Sequence, residues 1–438
     1  METAAERIEA GTPADVPAVF AATGTDLACA VTRAVTHHRI GLHLRFECRL
    51  DADRLARAVR LSLDADPVLG CRFAPEAGKG LWQRLRDLDG CRAFSTFETE
   101  DAERDSVAFQ AEEVPDEGPQ VAVALFRTGS HDELGLKISH VVADGQAMKQ
   151  YAYLLAHLYT VLGADPSYRP EPNLLPRPTE ADVWGMLTPE QRKAAKRAAS
   201  WAPANWPVTA RGSCGEGLTY RALTVEPERF HHLKAYGKER GSSVNDVLLA
   251  AYFRALVERL DPPRHVALTL MNTADHRRYL ESPRRLPIAN VSISGSVGVE
   301  RVDGEDLGDT LRRIRERTAE WARTCYGVAP AVTAEKLARL GYRNMRRLMM
   351  PLLRLGARGK TMPFLTNIGV IEDERLVFAD AAPAEAVMFG PSARGPSLVA
   401  TVSTYRGRLS VVMGFCEADL EPEVIGGVLA AFEAELPG

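Results

Sequence analysis

No stretch of the 438-residue sequence approaches about 18 uninterrupted apolar residues, so nothing in it reads as a membrane-spanning helix. The opening Met-Glu-Thr-Ala-Ala-Glu-Arg-Ile-Glu is acidic and lacks the apolar core of a secretory signal, so a cytoplasmic location is expected. Seven cysteines are scattered without a C-x-x-C pair, and an odd number argues against a full disulfide framework and for a reducing compartment. Neither H-E-x-x-H nor a Cys/His ligand spacing occurs, so no metal and no bound cofactor are expected. The phosphate-cradling patterns G-x-x-x-x-G-K-[ST] and G-x-G-x-x-G are missing, and kinase, NTPase and dehydrogenase readings go with them. Excess charge of one sign is missing too: a net charge of −4 makes no global case for nucleic-acid binding. There is no internal repeat and no low-complexity tract.

What is present suits a soluble globular protein of two domains. Hydrophobic content of 45% and charge of 26% are ordinary, while the length exceeds the roughly 250 to 300 residues at which single cores stop growing. The clearest change of composition is the proline-rich stretch from Asp165 to Gly217. It divides the chain into an amino-terminal lobe over 1–180, a linker over 181–215 and a carboxy-terminal lobe over 216–438. Before the linker, Met148, Ala152, Leu155, Tyr159 and Leu162 form one helical stripe. After it, Ser243 and Asp246 stand at capping-box distance ahead of an apolar helix. Near the end, Arg406-Gly407 between two apolar runs predicts a hairpin.

The chemistry concentrates in Glu133-Leu-Gly-Leu-Lys-Ile-Ser-His140-Val-Val-Ala-Asp144-Gly145. Leu134, Leu136 and Ile138 alternate with Gly135, Lys137 and Ser139, the period of a half-buried strand, so His140 should stand at the strand end within reach of a substrate. An imidazole titrating near pH ~6.5 can take a proton from a hydroxyl, amine or thiol and return it. The remaining histidines carry no such context: the pairs His37-His38 and His231-His232, and His43, are expected at the surface. Gly212-Ser-Cys-Gly215 lies in the polar linker and not after a strand, which argues against a nucleophile elbow.

Further segments flank this motif. Leu42 to Leu50, Asp51 to Leu63 and Asp66 to Phe73 read as strand, helix, strand, with Ile40, Leu42, Leu44, Phe46, Cys48 and Leu50 on one strand face. Ser243 to Leu256, Asn272 to Leu280 with Asn290 following, and Phe364-Leu-Thr366-Asn367-Ile-Gly369 come later in the chain. In this order the segments resemble the HxxxD-type CoA-dependent acyltransferase superfamily, which includes chloramphenicol acetyltransferase, condensation domains of peptide synthetases and alcohol acyltransferases. Together they cover nearly the whole chain.

The resemblance implies an α/β sandwich fold of two chloramphenicol-acetyltransferase-like lobes in a V, with His140 in the channel between them. It implies that Asp144 is structural and pairs with an arginine of the second lobe, Arg277 by position or Arg278 beside it. A bidentate pair would hold the His140 loop rigid. Gly145 would let backbone and substrate approach. Thr366 and Asn367 resemble a Ser/Thr-Asn-x-Gly segment and are candidate oxyanion donors. Two departures stand out: Ser139 replaces the second histidine usual in condensation domains, and the plant-type Asp-Phe-Gly-Trp-Gly is absent.

The stretch from Lys336 to Lys360 holds eight basic residues and no acid. It is expected to be a solvated helix packed on the second lobe. Arg346 and Arg347 are its candidates for docking an anionic donor or partner: CoA phosphates, an acidic carrier protein or a membrane surface. The implied activity is acyl transfer from a thioester, on CoA or on the phosphopantetheine of a carrier protein, to an alcohol or amine. His140 would be the general base, without an acyl-enzyme. A freestanding condensation-type enzyme and a non-catalytic carrier-binding scaffold are the alternatives.

Overall fold

The run from Glu133 to Ser139 does become a strand, Asp132–Ser139, but every residue in it is buried. It is the middle of a five-stranded sheet in the order Glu385–Phe389, Arg39–Arg45, Asp132–Ser139, Val121–Arg127, Phe94–Glu98. Its apolar face packs against the helices Ala52–Ala65 and Gly145–Ala164. Its second face, expected to be solvated, lies under the helix Ala102–Ala111, where Lys137 stacks 3.9 Å from the Phe109 ring centre and donates to the Glu112 carbonyl. Burial there pulls the Lys137 ammonium down to about 8. The structure is a computed structural model and describes residues 16–75, 80–197, 204–208, 217–281, 286–356 and 360–438. Gly212 to Gly215 thus lie outside the described residues.

A second, six-stranded sheet runs Ser292–Glu300, Ala267–Asp275, Phe364–Ile371, Val399–Tyr405, Arg408–Cys416, Leu218–Val225. The helices Val244–Leu260 and Pro422–Glu435 supply much of its core, through Leu248, Leu256, Val428 and Phe432. The Ser243–Asp246 capping box forms, and Arg406 and Gly407 take the left-handed turn of the hairpin. The fold is the expected two-lobed α/β architecture.

Three expectations need correction. The strand with the Leu42 face ends at Arg45, so Cys48 is exposed, beyond the last ladder pair. Glu385–Phe389, far inside the carboxy-terminal stretch, pairs with Arg39–Arg45 in the amino-terminal sheet, so the lobes exchange chain and 216–438 is not one self-contained lobe. The basic helix Tyr342–Gly356 buries Met345 and Met350 in the core of the first lobe, beside the helix Gly24–Thr32, and not on the second.

One irregular strand helps to stitch the lobes together. A bulge between Asn367 and Gly369 turns Phe364–Ile371 toward the helix Gly145–Ala164. There Gln146 Nε2 and Lys149 Nζ donate to the Ile368 carbonyl at 3.1 and 3.0 Å, and Lys149 reaches the Val370 carbonyl at 2.8 Å. Lys149 is buried and its ammonium is drawn down to about 8. Gly369 has φ +79° with open space around the missing Cβ, so the bulge needs glycine for its backbone alone. Gly369→Ala should therefore cost about 1 kcal/mol. The expected readout is a lower urea midpoint at unchanged slope; an unchanged midpoint would reject a strained left-handed bulge.

Candidate active site

The antiparallel register pairs Ile40 with Ile138 and Arg39 with Ser139. One step further, residue 38 lies opposite residue 140, and the His140 amide donates to the His38 carbonyl at 3.0 Å. His140 thus leaves the sheet at a point fixed by the ladder behind it. Its Nδ1 lies 2.8 Å from the Ala143 carbonyl, which can only accept, so Nδ1 carries the proton. Nε2 is left with its lone pair, and the ring's hydrogen-bond contacts among the described residues are at Nδ1. Burial lowers the imidazole below its ordinary value, outweighing the Ala143 bond and the nearby Asp144, so it is neutral at pH 7.

The loop beneath it is held by Asp144. One carboxylate oxygen caps the helix Gly145–Ala164 through the Ala147 amide at 2.9 Å. The other accepts from Arg277 Nη1 at 2.7 Å and from the Val291 amide at 2.8 Å. Burial by itself would raise this acid; the Arg277 charge and these hydrogen bonds overcome it and hold it below the usual carboxylate range. Arg277 is itself buried, and it also reaches Asp275 at 3.1 Å and the Ala289 carbonyl at 2.8 Å. The pair is made through one carboxylate oxygen and is not the expected bidentate fork, because the other oxygen is taken by the helix cap. Arg278 does not touch Asp144; its Nε donates to the Asp275 carbonyl and it faces the cavity described below.

Gly145 faces Ile368 from the bulged strand. A Cβ here would meet three Ile368 carbons at 3.0 to 3.1 Å, so the glycine serves this lobe-to-lobe contact. Asn290, buried, donates to the His140 carbonyl at 3.1 Å and approaches the Cys29 sulfur at 3.4 Å. Burial pushes the Cys29 thiol up to about 12, which leaves it protonated.

A cavity of about 630 Å³ opens from Asp144 and Gly145 across the second lobe and is lined by Thr366 and Asn367. Thr366 shares a hydrogen bond with Thr273, hydroxyl to hydroxyl at 3.1 Å. Asn367 spends its side-chain oxygen on the Gly369 amide at 3.0 Å, which leaves the amide NH₂ as its donor toward the cavity. Arg346 and Arg347 are exposed on the basic helix, apart from this cavity.

Two of the histidine expectations fail in an informative way. His37 and His38 are buried, and so is most of His43, which bonds Ser106 and Glu133. His231 and His232 are exposed. The His38 ring sits 5.3 Å from that of His140. Thr32 spends its hydroxyl proton on the Cys29 carbonyl, so it accepts from His38 Nε2 at 2.8 Å, and His38 Nδ1 is buried without a partner. Burial and the neighbouring His140 hold His38 well below its ordinary value. A second imidazole therefore does stand beside His140, supplied across the ladder and not by position 139. The alternation of both strands is in the sequence, but the register that pairs Ile40 with Ile138, and so brings residues 38 and 140 together, comes from the structure.

The chain matches no described protein family and no curated protein. Solved structures of the same fold are numerous. The first condensation domain of the calcium-dependent antibiotic synthetase, in complex with a substrate analogue, superposes with a TM-score of 0.69 at 18% identity, over 96% of this chain and 95% of that one. Polyketide synthase associated protein 5 from Mycobacterium tuberculosis gives 0.64 at 18% identity, over 96% and 98%. The starter condensation domain of rhizomide synthetase in complex with C8-CoA gives 0.65 at 14% identity, over 95% and 93%. The chain therefore has the condensation-domain fold.

Removing one partner of the buried pair strands the other's charge. Arg277→Ala should cost about 3 to 5 kcal/mol, and Asp144→Ala a similar amount. The double substitution Asp144→Leu with Arg277→Met should be milder than either. A double-mutant cycle by chemical denaturation checks this; additive losses would show that the pair is not coupled.

Proposed function

We propose that this protein transfers an acyl group from a thioester, carried on CoA or on the phosphopantetheine of a carrier protein, to an alcohol or amine acceptor. The observation that carries this reading is the state of His140: neutral, proton on Nδ1, lone pair on Nε2, set on a loop that Asp144 and Arg277 hold. An acceptor O–H or N–H gives its proton to Nε2 as the heteroatom attacks the thioester carbonyl. The tetrahedral intermediate then collapses with cleavage of the C–S bond, and the imidazolium returns the proton to the leaving thiolate. His140 is the catalytic residue; Asp144, Gly145 and Arg277 position it.

We assign the Thr366 hydroxyl and the Asn367 amide, on the wall of the cavity beside Gly145, to the oxyanion, contacts worth about 3 kcal/mol where such donors have been removed. Direct transfer accords with the local chemistry, because the nearby thiol, Cys29, is held protonated. The likeness to condensation domains supports a second form of the same chemistry, amide or ester formation on a carrier-bound chain supplied in trans. Arg346 and Arg347, exposed on a basic helix beside exposed Leu348 and Leu352, are the proposed dock for the anionic donor.

Thiol release from a panel of acyl-CoA and acyl-carrier donors, with alcohols and amines as acceptors, tests the reaction. His140→Ala should reduce acceptor-dependent release by about 10² to 10⁴-fold. Retained release would reject His140 as the base. The sign of the pH dependence follows from the lowered imidazole: the active form is the neutral one, so kcat/KM should fall only below neutrality. Its midpoint should lie under about 6.5, and one above that would contradict a buried neutral base. Reversing the charge of Arg346 and Arg347 to Glu should raise the donor KM with little change in kcat; an unchanged KM for both donor types removes the docking role.

A further inference from the structure

Part of the wall of the cavity that opens from Asp144 and Gly145 is built from residues that the proposed acyl-transfer chemistry does not use. Trp321, on the helix Leu307–Arg323, lays its indole over Gly295 of the strand Ser292–Glu300, where any Cβ would fall about 2.2 Å from it. Tyr326 stands edge-on to Trp321, ring centres 5.0 Å apart. Tyr326 is held in the left-handed region, φ 50° and ψ 39°, between Cys325 at φ 54° and Gly327 at φ 81°. Two consecutive non-glycine residues in that region cost on the order of 1 kcal/mol each or more, a strain that persists only where the surroundings impose it. Its result is to place the Tyr326 ring 4.7 Å beneath the Arg278 guanidinium, on the cavity wall.

Arg278 has company: Arg315 lines the same cavity. Among the described residues, Arg278 spends only Nε, on the Asp275 carbonyl, and Arg315 only Nη1, on the Arg240 carbonyl at 3.3 Å. Stacking on a ring leaves the in-plane N–H donors of a guanidinium available. The three carboxylates that line the cavity are already engaged, Asp144 by the Ala147 and Val291 amides and by Arg277. Asp246 accepts from Ser243 at 2.7 Å and from Thr318 at 2.7 Å, and Asp275 accepts from the Arg277 amide and guanidinium at 2.9 and 3.1 Å. Two guanidiniums with spare donors therefore face a cavity whose anions are spoken for, above an aromatic wall.

The geometry points to an anion subsite: Arg278 and Arg315, with Trp321 and Tyr326, receive an anionic oxygen group of a substrate while its reacting end lies at Gly145 and His140. This deepens the acyl-transfer reading and takes its assignment of the reacting end from it. The group is a phosphate, as on a phosphopantetheine arm, or a carboxylate on an aromatic acceptor, and the two sources are separable by experiment.

Equilibrium binding, by calorimetry on the full chain, compares 4′-phosphopantetheine with pantetheine, and 3-(4-hydroxyphenyl)propionate with its methyl ester. One anionic probe should bind about tenfold tighter than its neutral partner, and the preference should vanish in Arg278→Gln, Arg315→Gln and their double variant. Both side chains are exposed, so the variants should fold, as circular dichroism would verify. Preference for the phosphate assigns the thioester arm to this face, and preference for the carboxylate assigns the acceptor. Equal binding of both pairs, no binding of any probe, or a preference that survives the double variant overturns the subsite. Because binding needs no turnover, a preference in a protein without acyl-transfer activity would keep the subsite and reject the reaction.

Discussion

The buried ion pair of Asp144 and Arg277 is the constraint on which the rest depends. A carboxylate and a guanidinium taken out of water survive only if nearly all their lone pairs and protons find partners, and the partners here come from both halves of the chain. Asp144 closes the first turn of the helix behind His140 while it binds the Val291 amide and Arg277 from the second half. Arg277 in turn gathers Asp275 and the Ala289 carbonyl. The geometry of the His140 loop and the relative placement of the lobes are thus set by one cluster of hydrogen bonds.

The same economy governs the bulged strand. A regular strand at Phe364–Ile371 would keep its carbonyls within its own sheet. The left-handed Gly369 frees the Ile368 and Val370 carbonyls for Lys149, and brings the Ile368 side chain onto Gly145. The ammonium is desolvated and drawn down to about 8, a cost accepted only because two carbonyls would otherwise be orphaned. Thr366 and Asn367 reach the cavity by virtue of that bulge, so the strand that ties the lobes also furnishes its polar wall.

Much of the fold was legible in the sequence, because periodicity reports which face of an element is buried. The stripe from Met148 to Leu162, the Ser243–Asp246 capping box and the Arg406-Gly407 turn are local patterns, and each is realised. Errors arose where a second layer covers a face that local pattern assigns to solvent. Lys137 and His43 are polar side chains on two adjacent strands that alternate, yet the helix Ala102–Ala111 covers that side. The basic helix reads as amphipathic from its own residues, but which lobe receives Met345 and Met350 depends on a helix more than 300 residues earlier.

The candidate site divides in the same way. By itself the sequence determined what is local: a strand delivering His140 into a loop, an acidic residue four positions on at a helix start, and a glycine after it. Those follow from residue type and spacing, since they involve neighbours within one turn of chain. Only the tertiary structure decided that His38 stands beside His140, that Asp144 meets Arg277 through a single oxygen, and that Trp321, Tyr326, Arg278 and Arg315 share one wall. Such contacts join positions far apart in the chain, and they are settled by which strands pair, where a bulge falls and which buried charges can find partners.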